Sequence, residues 1–170
     1  MRVYLIGFMG CGKTTFGKKL ARKMNVDFID LDKQIEAHEG KSVSEVFAEK
    51  GEAYFRELES SLLQQTISLN HAVISCGGGT PCFHDNMHWM REHGITVYLK
   101  VTPEFLFSRL HTRREKRPLI AKLNDEELQA YITTKLEERE VHYQQAQQVI
   151  DPVHAKPGFV ADLLNARKGN

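Results

Sequence analysis

Gly7-Phe8-Met9-Gly10-Cys11-Gly12-Lys13-Thr14 decides how this chain is read: it is a complete G-x-x-x-x-G-K-T loop directly after the apolar run Val3-Tyr4-Leu5-Ile6. The glycines let the backbone turn tightly enough to aim successive N–H groups at an anion, and the helix behind the loop adds its positive end. Lys13 supplies a point charge for terminal phosphates, and the Thr14 hydroxyl suits the accompanying Mg2+. After the loop, Phe16, Leu20 and Met24 recur every four residues, with Gly17 and Ala21 offering a small-residue strip for close packing on a sheet. Strand, loop and helix thus come in the order a nucleoside triphosphate site needs, with Gly10, Cys11, Gly12, Lys13, Thr14 and Thr15 as its expected contacts.

The chain has 170 residues, 41% of them hydrophobic, enough for one well-cored domain and too few for two. Its 23 basic and 22 acidic residues nearly cancel, so no overall field draws it to nucleic acid or to an anionic membrane, and small anions must be held by local clusters. No segment approaches the roughly 20 apolar residues of a membrane span, and the apolar N-terminal stretch is too short for a secretory core. A cytoplasmic monomer is expected. Cys11, Cys76 and Cys82 are odd in number and lack C-x-x-C spacing, which argues against a disulfide framework and a zinc site. All three are expected reduced and half-buried, with Cys11 the most reactive because it shares the anion-binding loop with Lys13.

Further strand-like runs at 27–32, 72–75, 95–100 and 148–150 alternate with helical sequence, which implies a parallel sheet covered on both faces. Ser42-Val43-Ser44-Glu45 is a capping box, Gly51 closes that short helix, and a longer one turns Phe55, Leu58, Leu62 and Ile67 inward. Thr102-Pro103 starts another helix, and Asn124 with Glu127 caps a long one whose apolar face carries Leu128, Ile132, Leu136, Tyr143 and Ala146. Arg139 lies on that face, either snorkelling at the core edge or pointing into a site. Residues 113–122 break the pattern with five basic residues around Pro118, the composition of a mobile basic loop that closes over phosphates. His84 and His88 have the spacing of a metal pair without an H-E-x-x-H glutamate and read as surface-helix residues.

Asp30 and Asp32, two apart at the end of the second strand, are expected to point the same way at the carboxyl edge, where open α/β sheets bind ligands. Metal and proton handling follow from that placement. Gly77-Gly78-Gly79 ends the third strand, a costly choice unless backbone must approach a ligand closely or take positive φ. No aspartate ends that strand, so Asp30 is the better metal-side candidate. Arg56, alone, reads as a helix arginine.

Taken together, the phosphate loop, Asp30-Leu31-Asp32, Phe55-Arg56-Glu57-Leu58-Glu59, the triple glycine, Arg117-Pro118-Leu119 and the late Arg139 with Tyr143 closely resemble shikimate kinase over nearly the whole chain. The resemblance implies an α/β P-loop fold of the nucleoside-monophosphate-kinase type: five parallel strands in order 2-3-1-4-5 flanked by helices. It implies one kinase domain over 1–170, with core 1–108 and 123–170 and a mobile lid near 109–122. It further implies phosphorylation of the shikimate 3-hydroxyl by ATP and Mg2+. Arg56, Arg139 and Gly77, Gly78 and Gly79 would hold shikimate, the arginines on its carboxylate. Asp32 would receive or orient the attacking hydroxyl, Lys13 and Arg117 would stabilise the transferring phosphoryl group, and Thr14 with Asp30 would serve Mg2+. Arg109 and Lys156 resemble adenine-side elements. The chain departs from the family pattern at Val141, where a proline is common, and in the basic residues before Arg117; neither departure removes a functional group.

A gluconate kinase shares the phosphate loop and also takes a polyhydroxy carboxylate. A GTPase-type switch is disfavoured, since the chain has no N-K-x-D motif and no D-x-x-G after the third strand. A catalytically silent homologue is a third reading, against which stands the retention of Lys13, Asp32, Arg117 and Arg139.

Overall fold

The computed structural model describes residues 1–117 and 119–166. Its strands are β1 (Arg2–Ile6), β2 (Asp27–Asp30), β3 (Ala72–Ser75), β4 (Ile95–Leu99) and β5 (Gln148–Ile150), all parallel, in the order β2-β3-β1-β4-β5. The helices are α1 (Lys13–Met24), α2 (Leu31–Glu39), α3 (Val43–Gln65), α4 (Asn86–His93), α5 (Pro103–His111), α6 (Asp125–Tyr143) and α7 (Pro157–Ala166). Because β1 lies at the centre with both faces covered, alternate residues feed opposite layers. Val3 and Leu5 join Phe16, Leu20, Val97, Leu106, Ile132 and Leu164 on one side. Tyr4 and Ile6 join Leu31, Leu63, Ile74, Met90 and Tyr143 on the other.

Local signals behave as the sequence leads one to expect at the helix ends. Ser42 and Glu45 form a reciprocal capping box, as do Asn124 and Glu127, and Thr102 accepts from the Phe105 N–H. Gly51 takes φ 81° and ψ 171°, breaking α3 where the short helix ends. Gly17 permits contact that no side chain would: a Cβ there would lie 2.6 Å from the Phe28 ring and 2.8 Å from Leu5.

Three expectations are corrected. The second strand stops at Asp30, and Asp32 sits in the first turn of α2. Leu31 is fully buried, and helix geometry, not the pleat, directs Asp32. Ile67 lies past the end of α3 in a short 3-10 turn and is 51% exposed, while Leu63, one turn earlier, takes the core position. His84 precedes α4 in a left-handed conformation and is not a helix residue. Pro118, the centre of the expected basic loop, lies outside the described residues.

Candidate active site

The carboxyl ends of β1, β2 and β3 open into a cleft of about 260 Å³ lined by the phosphate loop, Asp30, Asp32, Gly77, Gly78, Arg109, Arg113 and Arg117. On its floor the loop is shaped by positive φ at Gly7, Gly10 and Gly12, conformations that residues with a Cβ adopt only under strain. Gly12 precedes α1 and no side chain caps that helix, so its first N–H groups face the cleft as an anion site. The Lys13 ammonium donates to the carbonyls of Gly7 at 2.6 Å and Phe8 at 3.0 Å. The Thr14 hydroxyl donates to Asp30 Oδ2 at 3.0 Å, bringing together the two oxygen groups expected at the metal.

Asp32 is partly buried across from Lys13. Burial pushes its carboxyl up to about 6, the negative charges of Asp30 and Glu59 add to the effect, and Lys13 opposes it. Arg117 also faces Asp32: burial lowers its pKa and the carboxylate raises it, with burial the larger effect.

The triple glycine does not take positive φ. What it permits is close approach by charged side chains of this same chain. A Cβ at Gly77 would stand 2.8 Å from Glu59 Oε1 and 3.2 Å from Asp32 Oδ1. At Gly78 it would meet Arg139 Nη1 at 3.2 Å, and at Gly79 it would overlap the Arg56 guanidinium at 2.5 Å. Two arginines from distant helices therefore converge on adjacent residues of one turn. Arg56 is 9% exposed, donates to Glu59 at 2.8 Å and lies 4.2 Å from the centre of the Phe83 ring. Arg139 lies 5.3 Å from the centre of the Phe8 ring, so it faces the site and does not snorkel outward. Tyr143 closes the turn from behind by donating to the Gly78 carbonyl at 2.6 Å.

A second cavity, of about 480 Å³, adjoins the loop on the other side and brings Arg109 and Lys156 together with Cys11, Thr15, Phe105 and His154. Arg109 lines both cavities. A third cavity, of about 710 Å³ between β4, β5 and α6, contains none of the expected site residues. The cysteine expectation needs revision on exposure: Cys11 and Cys76 are each 2% exposed, and only Cys82 is partly open.

The shikimate kinase family pattern matches residues 9–166, from inside the phosphate loop to the last described residue of α7. The chain belongs to the shikimate kinase family. Among relatives, the shikimate kinase of Bacteroides thetaiotaomicron is 48% identical over 151 residues, covering 89% of this chain and 86% of its own length. A crystal structure of shikimate kinase from the same species superposes with a TM-score of 0.90 at 42% identity, covering 100% of this chain and 99% of that one. Shikimate kinase from Acinetobacter baumannii, solved in complex with shikimate, gives a TM-score of 0.85 at 29% identity, covering 99% of this chain and 93% of that one. Shikimate kinase membership makes this chain an ATP-using kinase and sets aside the gluconate-kinase and GTPase readings.

Sequence reasoning includes Glu59 and Phe8 in its patterns without giving either a task, and it passes over Phe83, Thr80 and Asn86 altogether. Glu59 carries a weak signal, since a carboxylate three residues after an arginine on a helix is a candidate ion pair. The others carry none, because their importance arises only where distant elements meet.

Proposed function

We propose that this chain transfers the γ-phosphoryl group of ATP to the 3-hydroxyl of shikimate, giving shikimate 3-phosphate and ADP, as a cytoplasmic monomer. The observation that carries the reading is the convergence of Arg56 and Arg139 on Gly79 and Gly78, opposite a phosphate loop and beside a carboxylate with a raised pKa. Two planar guanidiniums side by side suit a carboxylate, and they orient an acceptor with its hydroxyl toward Asp32. Asp32 accepts the hydroxyl proton as the oxygen–phosphorus bond forms and the bond from the γ-phosphorus to the bridging oxygen of ADP breaks. Lys13 and Arg117 meet the charge spread over the transferring oxygens, and Gly10, Cys11, Gly12, Thr14 and Thr15 cradle the phosphates. Arg109 and Lys156 flank the adenosine end.

The hydroxyl of Thr14 and the carboxylate of Asp30, bonded to each other, are an all-oxygen pair of the kind Mg2+ takes directly or through its waters. When bound, the ion supplies neutralisation of phosphate charge. Residues 109–122 form the lid in this reading, with Arg117 reaching the phosphates as it closes, so that water is excluded during transfer. Three unpaired cysteines support a reducing compartment. Among the described residues no helix is long and apolar enough to cross a membrane.

A coupled assay of ADP release against shikimate, gluconate and nucleoside monophosphates tests this. ATP turnover is expected to depend on shikimate; hydrolysis without it, or faster phosphorylation of gluconate, contradicts the proposal.

A further inference from the structure

Behind the glycine turn lies a buried polar chain that the transfer chemistry does not use. Asn86, the first residue of α4, has no solvent exposure; its Nδ2 donates to the Thr80 carbonyl at 3.0 Å, and its Oδ1 accepts from the Ser60 hydroxyl at 2.7 Å. Since a carbonyl only accepts, the amide orientation is fixed by chemistry: the NH2 must face Thr80 and the oxygen must face Ser60. Thr80, also fully buried, donates its hydroxyl to Glu59 Oε1 at 2.5 Å. The other oxygen of Glu59 receives Arg56. On the backbone, the Thr80 N–H donates to the Gly77 carbonyl at 3.2 Å and the Cys82 N–H to that of Gly79 at 2.9 Å. Asn86 is thus joined through Thr80 both to the glycine turn and to the carboxylate that holds Arg56.

The entry to α4 is strained in a way that serves this contact. His84 and Asp85 take φ of 49° and 55° in succession, left-handed conformations uncommon for residues with a Cβ, and the Asp85 side chain makes no capping bond, although its carbonyl accepts from the Trp89 N–H at 3.1 Å. An apolar residue at 86 would suit its neighbours Met87 and Met90 in the core and leave no buried amide to satisfy. The chain instead spends backbone strain to bring one carboxamide between Ser60 and Thr80.

We propose that Asn86 is a positioning residue for the acceptor side of the site, holding the turn at Gly77–Gly79 and, through Thr80 and Glu59, the Arg56 guanidinium in register with the acceptor carboxylate. The inference rests on the shikimate reading above and adds a residue that touches neither substrate. Misplacing a binding group by a fraction of an ångström weakens the complex without touching the phosphate loop, so the effect falls on one substrate only. Asn86→Leu is expected to raise the KM for shikimate about tenfold while the KM for ATP stays within about twofold. Ser60→Ala, which removes the far bond and leaves the Thr80 contact, should lower Tm comparably yet leave the shikimate KM within about threefold. Asn86→Asp, which keeps the volume and the acceptor for Ser60 but loses the donor to Thr80, should show the same split and serves if the leucine variant does not fold. An active parent whose Asn86 variants keep their shikimate KM, or lose affinity for both substrates equally, overturns the positioning role alone. A parent without shikimate-dependent ADP release contradicts the functional reading instead.

Discussion

The phosphate loop takes its shape from consecutive residues, whereas the acceptor side of the same cleft is assembled from the end of β3, the start of α2, the middle of α3 and the last turns of α6. In the proposed reading the first binds through backbone N–H groups whose directions are set by local φ angles, the second through side chains whose directions are set by packing. A site of the first kind is robust to distant substitutions and sensitive to its own glycines. A site of the second kind is exposed to any change that shifts one helix against another.

That contrast breaks first at the groups acting on the reacting atoms. Lys13→Ala and Asp32→Asn should each lower kcat by on the order of 100-fold or more, since each removes a group acting on transition-state charge or on the proton. Far-UV circular dichroism should show both folded, and a near-normal kcat for Asp32→Asn would remove that carboxylate from the mechanism.

The raised pKa of Asp32 sharpens the point. As the proposed base, Asp32 works ionised, so kcat/KM for shikimate should level off above about pH 7 and fall toward about tenfold per pH unit below about pH 6, a limb absent in Asp32→Asn. The sign for stability is opposite. A carboxyl whose pKa is raised on folding favours the native state while protonated, and that contribution is lost as pH rises through about 6. Asp32→Asn should therefore raise Tm at pH 8 and gain little at pH 4, a trade of stability for function that a thermal melt at the two pH values reads directly.

Gly79→Ala probes the acceptor side with one methyl group. The added Cβ would overlap an Arg56 guanidinium held by Glu59 and Phe83, so the KM for shikimate should rise about tenfold with ATP affinity unchanged. An unchanged KM would mean that Arg56 relocates freely.

The two sides also differ in how much of them the sequence discloses. Strand positions, capping boxes and the loop are readable because each is carried by periodicity or by short-range chemistry, whereas the order of the strands comes only with the resemblance to shikimate kinase. Asp30 and Asp32 were legible as a pair, but the end of β2 was not, because Leu31 fits a buried strand and a buried helix start equally well. The triple glycine was legible as unusual, yet its cause was not: the close neighbours are Glu59, Arg56 and Arg139, which only the fold brings there. Cys11 shows the same limit. Sequence placed it in an electropositive loop, and packing then buried it, so limited alkylation should label Cys82 before Cys11 or Cys76. Peptide mapping checks this smallest of the effects, with preferential labelling of Cys11 as the contrary result.

The independence of the two sides is tested most directly by calorimetric titration of shikimate and of ATP, separately, into the parent, Arg139→Ala and Lys13→Ala. A crossed pattern is expected: Arg139→Ala loses roughly tenfold or more in shikimate affinity and keeps ATP, while Lys13→Ala weakens ATP and keeps shikimate. Arg139→Ala binding shikimate as tightly as the parent would contradict the claim that the arginines converging on the glycine turn recognise the acceptor.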